Sequence, residues 1–236
     1  MNSASIAPVQ QIMLPGSPTI GVLLRRSKRA RRMSLRVSRL KGLVTLSLPI
    51  SCPMAQAEKF VFEKESWIRA HLADLPPTAE AMLGGTFLYQ GQLLTICPGQ
   101  GRQVRAIGEE LLVPGPEAMV GARVKAFLKL QARMRLQEAT ERYAVALGKP
   151  YGRLTLRDTT SRWGSCSTQG NINYSWRLIM APPEVLNYVA AHEVAHLAEM
   201  NHSARFWAVV ERLFPNHAEQ RAWLREHGED LHRYLF

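Results

Sequence analysis

A chain of 236 residues, 46% hydrophobic and 21% charged, has room for one large domain or two small ones with a full core. It has no apolar run near the roughly 18 residues a bilayer span needs, and no basic start leading into an apolar stretch, so a membrane or secreted protein is not expected and a cytoplasmic one is. Three widely spaced cysteines, Cys52, Cys97 and Cys166, suit neither a disulfide framework nor a cysteine-rich zinc module and read as small apolar residues.

The net charge of +11 is unevenly spread. Residues 1–57 hold nine Lys/Arg and no acidic residue, whereas residues 151–236 hold nine of each sign. The excess sits in Arg25–Lys41, RRSKRARRMSLRVSRLK. Such a run attracts nucleic acid, nucleotide phosphates or an acidic partner, or else forms a solvated strand face.

Residues 1–18, with Pro8, Pro15 and Pro18, read as a loosely attached tail. MSLRV and LVTLSLP alternate as two antiparallel strands with basic residues outward. Residues 54–73 place Phe60, Trp67, Ile68 and Leu72 at helical spacing before Pro76 and Pro77. A second hairpin comes next in TFLYQGQLLTI with Gly91 at its turn, then a strand at LLVP. Residues 117–147 form a long amphipathic helix stopped by Gly148 and Pro150. GRLTLRDTT and NINYSWRLIM are strand-like runs joined by the Gly- and Ser-rich SRWGSCSTQG. Pro182-Pro183 opens a helix through NYVAAHEVAHLAEM, and two more helices lie near 203–214 and 218–228. No internal repeat is visible. The expected division is a tail at 1–18, a basic β-rich part at 19–115 and a helix-dominated catalytic domain at 116–236, an α+β class overall.

Chemistry concentrates in His192-Glu193-Val194-Ala195-His196. Residues four apart on a helix differ by about 400°, so both imidazoles point one way, a turn apart, and can reach a single Zn²⁺. Glu193 lies about 60° around the axis from His196, placed to take a proton from a metal-held water and pass it to a leaving group. A third ligand would leave one open position. His202 supplies it if the helix stops near Met200-Asn201, with Asn201 as left-handed terminator and Ser203 capping the next helix. Glu211 is the alternative ligand. Glu199 reads as a second-layer acceptor for a histidine, or as a surface carboxylate. Phe206, Trp207 and Trp223 read as core.

The segment SRWGSCSTQGNINYSWRLIMAPPEVLNYVAAHEVAHLAEMNHSARFW closely resembles the YgjP-like metallopeptidase family, relatives of the SprT-like and WLM proteases. Arg162-Trp163-Gly164-Ser165-Cys166, Asn173, Leu178, the prolines 182 and 183, H-E-x-x-H and Asn201-His202-Ser203…Phe206-Trp207 carry the likeness. Arg26-Ser27-Lys28-Arg29, Leu35-Arg36-Val37 and Trp67-Ile68-Arg69 extend it to the front half. Val194 departs mildly, since many relatives have Leu there. The resemblance implies a zincin-type catalytic domain with His192, His196 and His202 on zinc and Glu193 as general base.

The first functional reading is therefore a zinc peptidase acting on a peptide or protein. An extended substrate would add to a strand near Arg157–Arg162 or Asn171–Trp176. Arg162, Trp163 and Tyr174 are its candidate substrate-binding residues, with Arg162 or Tyr174 considered for the oxyanion. The second is a metal-dependent nucleotide phosphohydrolase, weakened because no glycine loop for phosphate is present and imidazoles do not favour Mg²⁺. The third is a nucleic-acid-associated protease guided by Arg25–Lys41.

Overall fold

A computed structural model of the chain describes residues 10–38, 42–75 and 77–236. Residues 1–9 of the expected tail, and 39–41 of the basic run, lie outside the described residues. The fold is α+β and divides into two compact units, Met1–Pro77 and Thr78–Phe236. That division falls before the second hairpin rather than at 115/116. The reason is packing: Phe87, Leu94, Ile96, Leu111 and Val113 share one core with the later helices.

In the first unit, β1 (Gln11–Leu14), β2 (Ile20–Ser27), β3 (Ser34–Val37) and β4 (Val44–Pro49) form a sheet in the order β1-β2-β4-β3. The β1–β2 and β3–β4 pairs are antiparallel and β2–β4 is parallel. Residues 11–14 are thus strand and not tail. Ile12 and Leu14 alternate into the core, and the prolines after them end a strand that they had seemed to forbid. Helices α1 (Met54–Glu63) and α2 (Glu65–Ala73) divide at Lys64, where a single expected helix breaks. Ala57, Val61 and Ile68 complete the core of this unit.

The second unit starts with β5 (Ala79–Glu80) and continues with β6 (Thr86–Tyr89), β7 (Gln92–Gly99), β8 (Arg105–Ile107) and β9 (Glu110–Pro114) in the order β6-β7-β9-β8. Gln90 and Gly91 both have positive φ, 51° and 79°, the backbone of a tight two-residue hairpin turn, which glycine adopts without strain. A 3-10 turn at Glu117–Met119 leads into α3 (Val120–Leu147), whose buried Val124, Leu128, Ala132, Leu136 and Ala139 keep helical spacing.

β10 (Leu154–Arg157), β11 (Gly164–Cys166) and β12 (Ile172–Ser175) form a sheet in the order β10-β12-β11. The Gly- and Ser-rich connection therefore carries a strand of its own, and β10 and β12 run parallel rather than as a hairpin. Residues Trp176–Met180 form a buried 3-10 turn ahead of α4 (Pro183–Ala195). Then come α5 (Ala204–Leu213), α6 (His217–His227), a 3-10 turn at Gly228–His232 and β13 (Tyr234–Leu235), which pairs with β5. Among the described residues no helix is long and apolar enough to cross a membrane.

Candidate metal centre

Helix α4 is apolar almost all round, with Val185, Leu186, Tyr188, Val189, Ala190, Ala191, Val194 and Ala195 buried. Such a helix belongs inside a domain, and Pro183 at its first position gives it a preset start. It ends at Ala195 with His196 as C-cap, a turn earlier than Met200-Asn201. Asn201 is not left-handed, because Gln90 and Asn216 are the non-glycine positive-φ residues among those described. The bend instead uses the Glu199 main chain, whose carbonyl accepts from His196 Nδ1 at 3.1 Å. The Glu199 backbone, and not its carboxylate, orients that ring. Ser203 does occupy the N-cap of α5, without a side-chain capping bond.

This bend brings His202 back to the first two histidines. The ligating atoms of His192, His196 and His202 all lie within 4.8 Å of one another, and the Nε2 atoms of His192 and His202 are 3.1 Å apart. A tetrahedral zinc with arms of about 2.0–2.1 Å spaces its ligands by about 3.3 Å. Phe206 stacks on His196 at 4.4 Å and meets His192 and His202 edge-on at 4.9 and 4.7 Å.

The donor set fits a soft-to-borderline divalent cation. Burial, then the nearby His196 and His202, push His192 down to about 3, and burial also lowers His196. Both rings are therefore neutral near pH 7, the form that ligates. His192 Nδ1 is buried with no hydrogen-bond partner, a cost of about 1–3 kcal/mol that binding through Nε2 can offset.

Glu193 is 5% exposed. Burial raises its carboxyl to about 8, against the opposing charge of Arg162. It presses on Gly164 of β11, where a Cβ would fall 2.6 Å from Glu193 Cγ and 2.7 Å from Cδ. Only glycine admits this approach, a reason for glycine in a short strand. β11 is an edge strand, with β12 on one side. A cleft of about 400 Å³ opens at its Gly164 end, lined by Arg157, Arg162, Trp163 and Asn173 among others. A second of about 350 Å³ opens at its far end, between Ser167–Gly170 and His196–Ala198.

Arg162 shares its cleft with Gly164, the glycine on which Glu193 presses, and Trp163 of the same wall makes a tilted contact with His232 at 5.2 Å. Tyr174 also lines that cleft, with little of its surface open to it. It is 1% exposed and its hydroxyl is spent on Thr140 Oγ1 at 3.0 Å. β12, which holds Asn173 and Tyr174, has a neighbour on each side and has no edge for a peptide. Glu211 lies apart from the three histidines, its carboxylate accepting from His217 Nδ1 at 2.8 Å. His217 escaped the sequence reading; it stacks on Trp207 at 5.2 Å, and Trp207 meets His192 edge-on at 5.8 Å. Gly164 was read only as part of the family likeness and Arg157 only as the start of a peptide-binding strand; the close approach of Glu193 to Gly164 was not foreseen.

The model of the YgjP-like metallopeptidase domain matches residues 31–227. The chain belongs to the YgjP-like family. A YgjP-like chain falls among the metallopeptidases, so a metal-dependent peptide hydrolase is its broad class. A solved structure, the metallopeptidase zymogen of Pyrococcus abyssi abylysin, is 24% identical, over 38% of this chain and 93% of that one, with a TM-score of 0.35. No curated protein matches the chain.

Proposed function

We infer that this YgjP-like chain is a zinc peptidase of zincin type, in which His192, His196 and His202 hold the ion and Glu193 is the general base. The carrying observation is the three-imidazole cluster beside a buried carboxylate that reaches the edge strand β11. Zinc supplies Lewis acidity toward the peptide carbonyl and makes water more acidic. Glu193 takes the proton of the attacking water on its carboxylate and returns it to the leaving amine. β11 offers backbone groups along which an extended peptide can lie, and its two end clefts receive side chains on either side of the cleaved bond.

The test is metal content and turnover together. Purified protein should hold about one equivalent of zinc per chain; His192→Ala, His196→Ala and His202→Ala should lose it, and Glu211→Ala should retain it. Glu193→Gln should keep zinc while peptide hydrolysis falls by about 10²–10⁴. Zinc retained in all three histidine variants would overturn the ligand set. Hydrolysis of nucleoside triphosphates with no peptide cleaved would replace the peptidase by a phosphohydrolase.

A further inference from the structure

The cleft at the Gly164 end of β11 has a charge character that the metal chemistry does not require. Its walls carry two guanidinium groups, Arg157 and Arg162, with Thr159, Ser161, Ser165 and Asn173 between them. No Asp or Glu is among the residues that line it. Asp158 is next in sequence to Arg157 but is committed elsewhere. Its two oxygens accept from Arg177 Nε at 2.7 Å and Nη2 at 3.4 Å. Arg177 is itself buried and also donates to the carbonyls of Leu231 and Tyr234. The acid adjoining the cleft in sequence is thus held against another cation.

The loop that presents Arg162 is itself fixed, because Thr159 Oγ1 donates to the Arg162 carbonyl at 2.9 Å. Both Arg157 and Arg162 are solvent-exposed, so neither pays a large desolvation cost before a ligand arrives. Arg162 lines the same cleft as Gly164, on which the Glu193 side chain presses, so the pair opens beside the base. An arginine pair at the wall of a cleft suits a carboxylate, which a guanidinium grips with two parallel hydrogen bonds.

We propose that Arg157 and Arg162 form an anion subsite that selects peptides with an acidic side chain close to the scissile bond. This rests on the peptidase reading for the nature of the substrate, and on the cleft alone for its charge. The subsite carries a Glu or Asp side chain of the bound peptide, held between the two guanidinium groups while the adjacent backbone lies along β11.

The experiment uses full-length zinc-loaded protein and matched fluorogenic peptides that differ at one position, carrying Glu, Gln or Lys. Each position around the cleavage point is scanned. At the best position, kcat/KM should favour Glu over Gln by about 10-fold or more at low salt, and the ratio should shrink as salt screens the contact. In Arg157→Glu and in Arg162→Glu the preference for Glu should be lost, and in the double variant the order should invert, with Lys preferred to Glu. Binding is read separately on Glu193→Gln by anisotropy of the labelled peptides, which reports the same preference without turnover. Cleavage with Glu, Gln and Lys equivalent at every position would overturn the subsite and leave the peptidase reading standing. The charge preference in binding, with no peptide cleaved by the unsubstituted protein, would support the subsite and overturn the peptidase reading. Nucleoside triphosphates hydrolysed in an Arg157- and Arg162-dependent way, displacing the peptides, would overturn the acidic-peptide assignment in favour of phosphate.

Discussion

Sheets β1-β2-β4-β3 and β6-β7-β9-β8 share one plan: an antiparallel hairpin, a parallel crossing, a second antiparallel pair. With Pro49 opposite Ser27 and Pro114 opposite Gly99, the registers superimpose position by position. Buried Ile12 faces Val22 as buried Phe87 faces Leu94, and Leu46 stands where Leu111 does. The helices attached to the two sheets differ. β4 leads to α1 of 10 residues, and β9 to the 28-residue α3 on which α4 packs. The connections differ as well: residues 28–32 between β2 and β3 carry four Lys/Arg, and residues 100–104 between β7 and β8 carry one. A common sheet can serve two ends. The three-histidine cluster comes after the second sheet, and the charge sits in the loop of the first.

The comparison is tested most strongly where α4 meets β11. Gly164→Ala should lower peptide hydrolysis by about 10²-fold or more while zinc content stays near one equivalent, because the added methyl displaces Glu193 and leaves the histidines in place. Unchanged hydrolysis would mean that the approach of β11 to Glu193 is incidental.

The matching positions Leu46 and Leu111 separate the two sheets. Each is fully buried, so Leu→Ala at either should cost about 2–5 kcal/mol by chemical denaturation. Leu111→Ala should also weaken zinc binding and turnover, since its core continues into α3 and α4. Leu46→Ala should leave both intact. Equal functional loss from the two would contradict the division of labour.

Acid should distinguish the units as well. His71, the single histidine before residue 78, is exposed, whereas in the second unit burial pushes His232 down to about 4. Its folded value lies below the unfolded one, so the unfolded chain binds more protons between about pH 6.5 and 4. Stability from a neutral His232 is complete above that window and is lost as pH falls through it, on the order of 2–3 kcal/mol. Urea titrations of metal-free protein across this range should show the second unit weakening while the first does not, and His232→Gln should reduce the slope, the buried His192 supplying a further part. The smallest effect concerns the basic loop. Reversing Arg25, Lys28, Arg29 and Arg32 should weaken nucleic-acid binding and reduce its salt dependence, with hydrolysis of a small uncharged peptide unchanged. An unaltered salt slope would make the cluster a solvated face.

The motif residues were readable because a four-residue spacing on an apolar helix has few meanings. The strands with strict alternation, β3, β4, β6 and β9, were readable for a similar reason. Strand β1 was hidden by the prolines on both sides, and β11 by being three residues of a Gly- and Ser-rich stretch. The recurrence of the sheet was invisible because little beyond the alternation, one leucine and the terminal proline recurs. That the Tyr174 hydroxyl meets Thr140 was not legible, because a tyrosine beside a motif gives no sign of its partner. The bend after His196 was expected from a residue type at Asn201; it arises from a carbonyl, which every residue has.

Arg177 gives the second unit an order of completion. Its guanidinium takes carbonyls from Leu231 and Tyr234 and the carboxylate of Asp158, just ahead of the loop that presents Arg162. While the chain is still being synthesised, H-E-x-x-H emerges well before those carbonyls exist, and β5 still waits for β13. A nascent chain therefore carries the H-E-x-x-H residues before it has the two carbonyls that complete the Arg177 cluster.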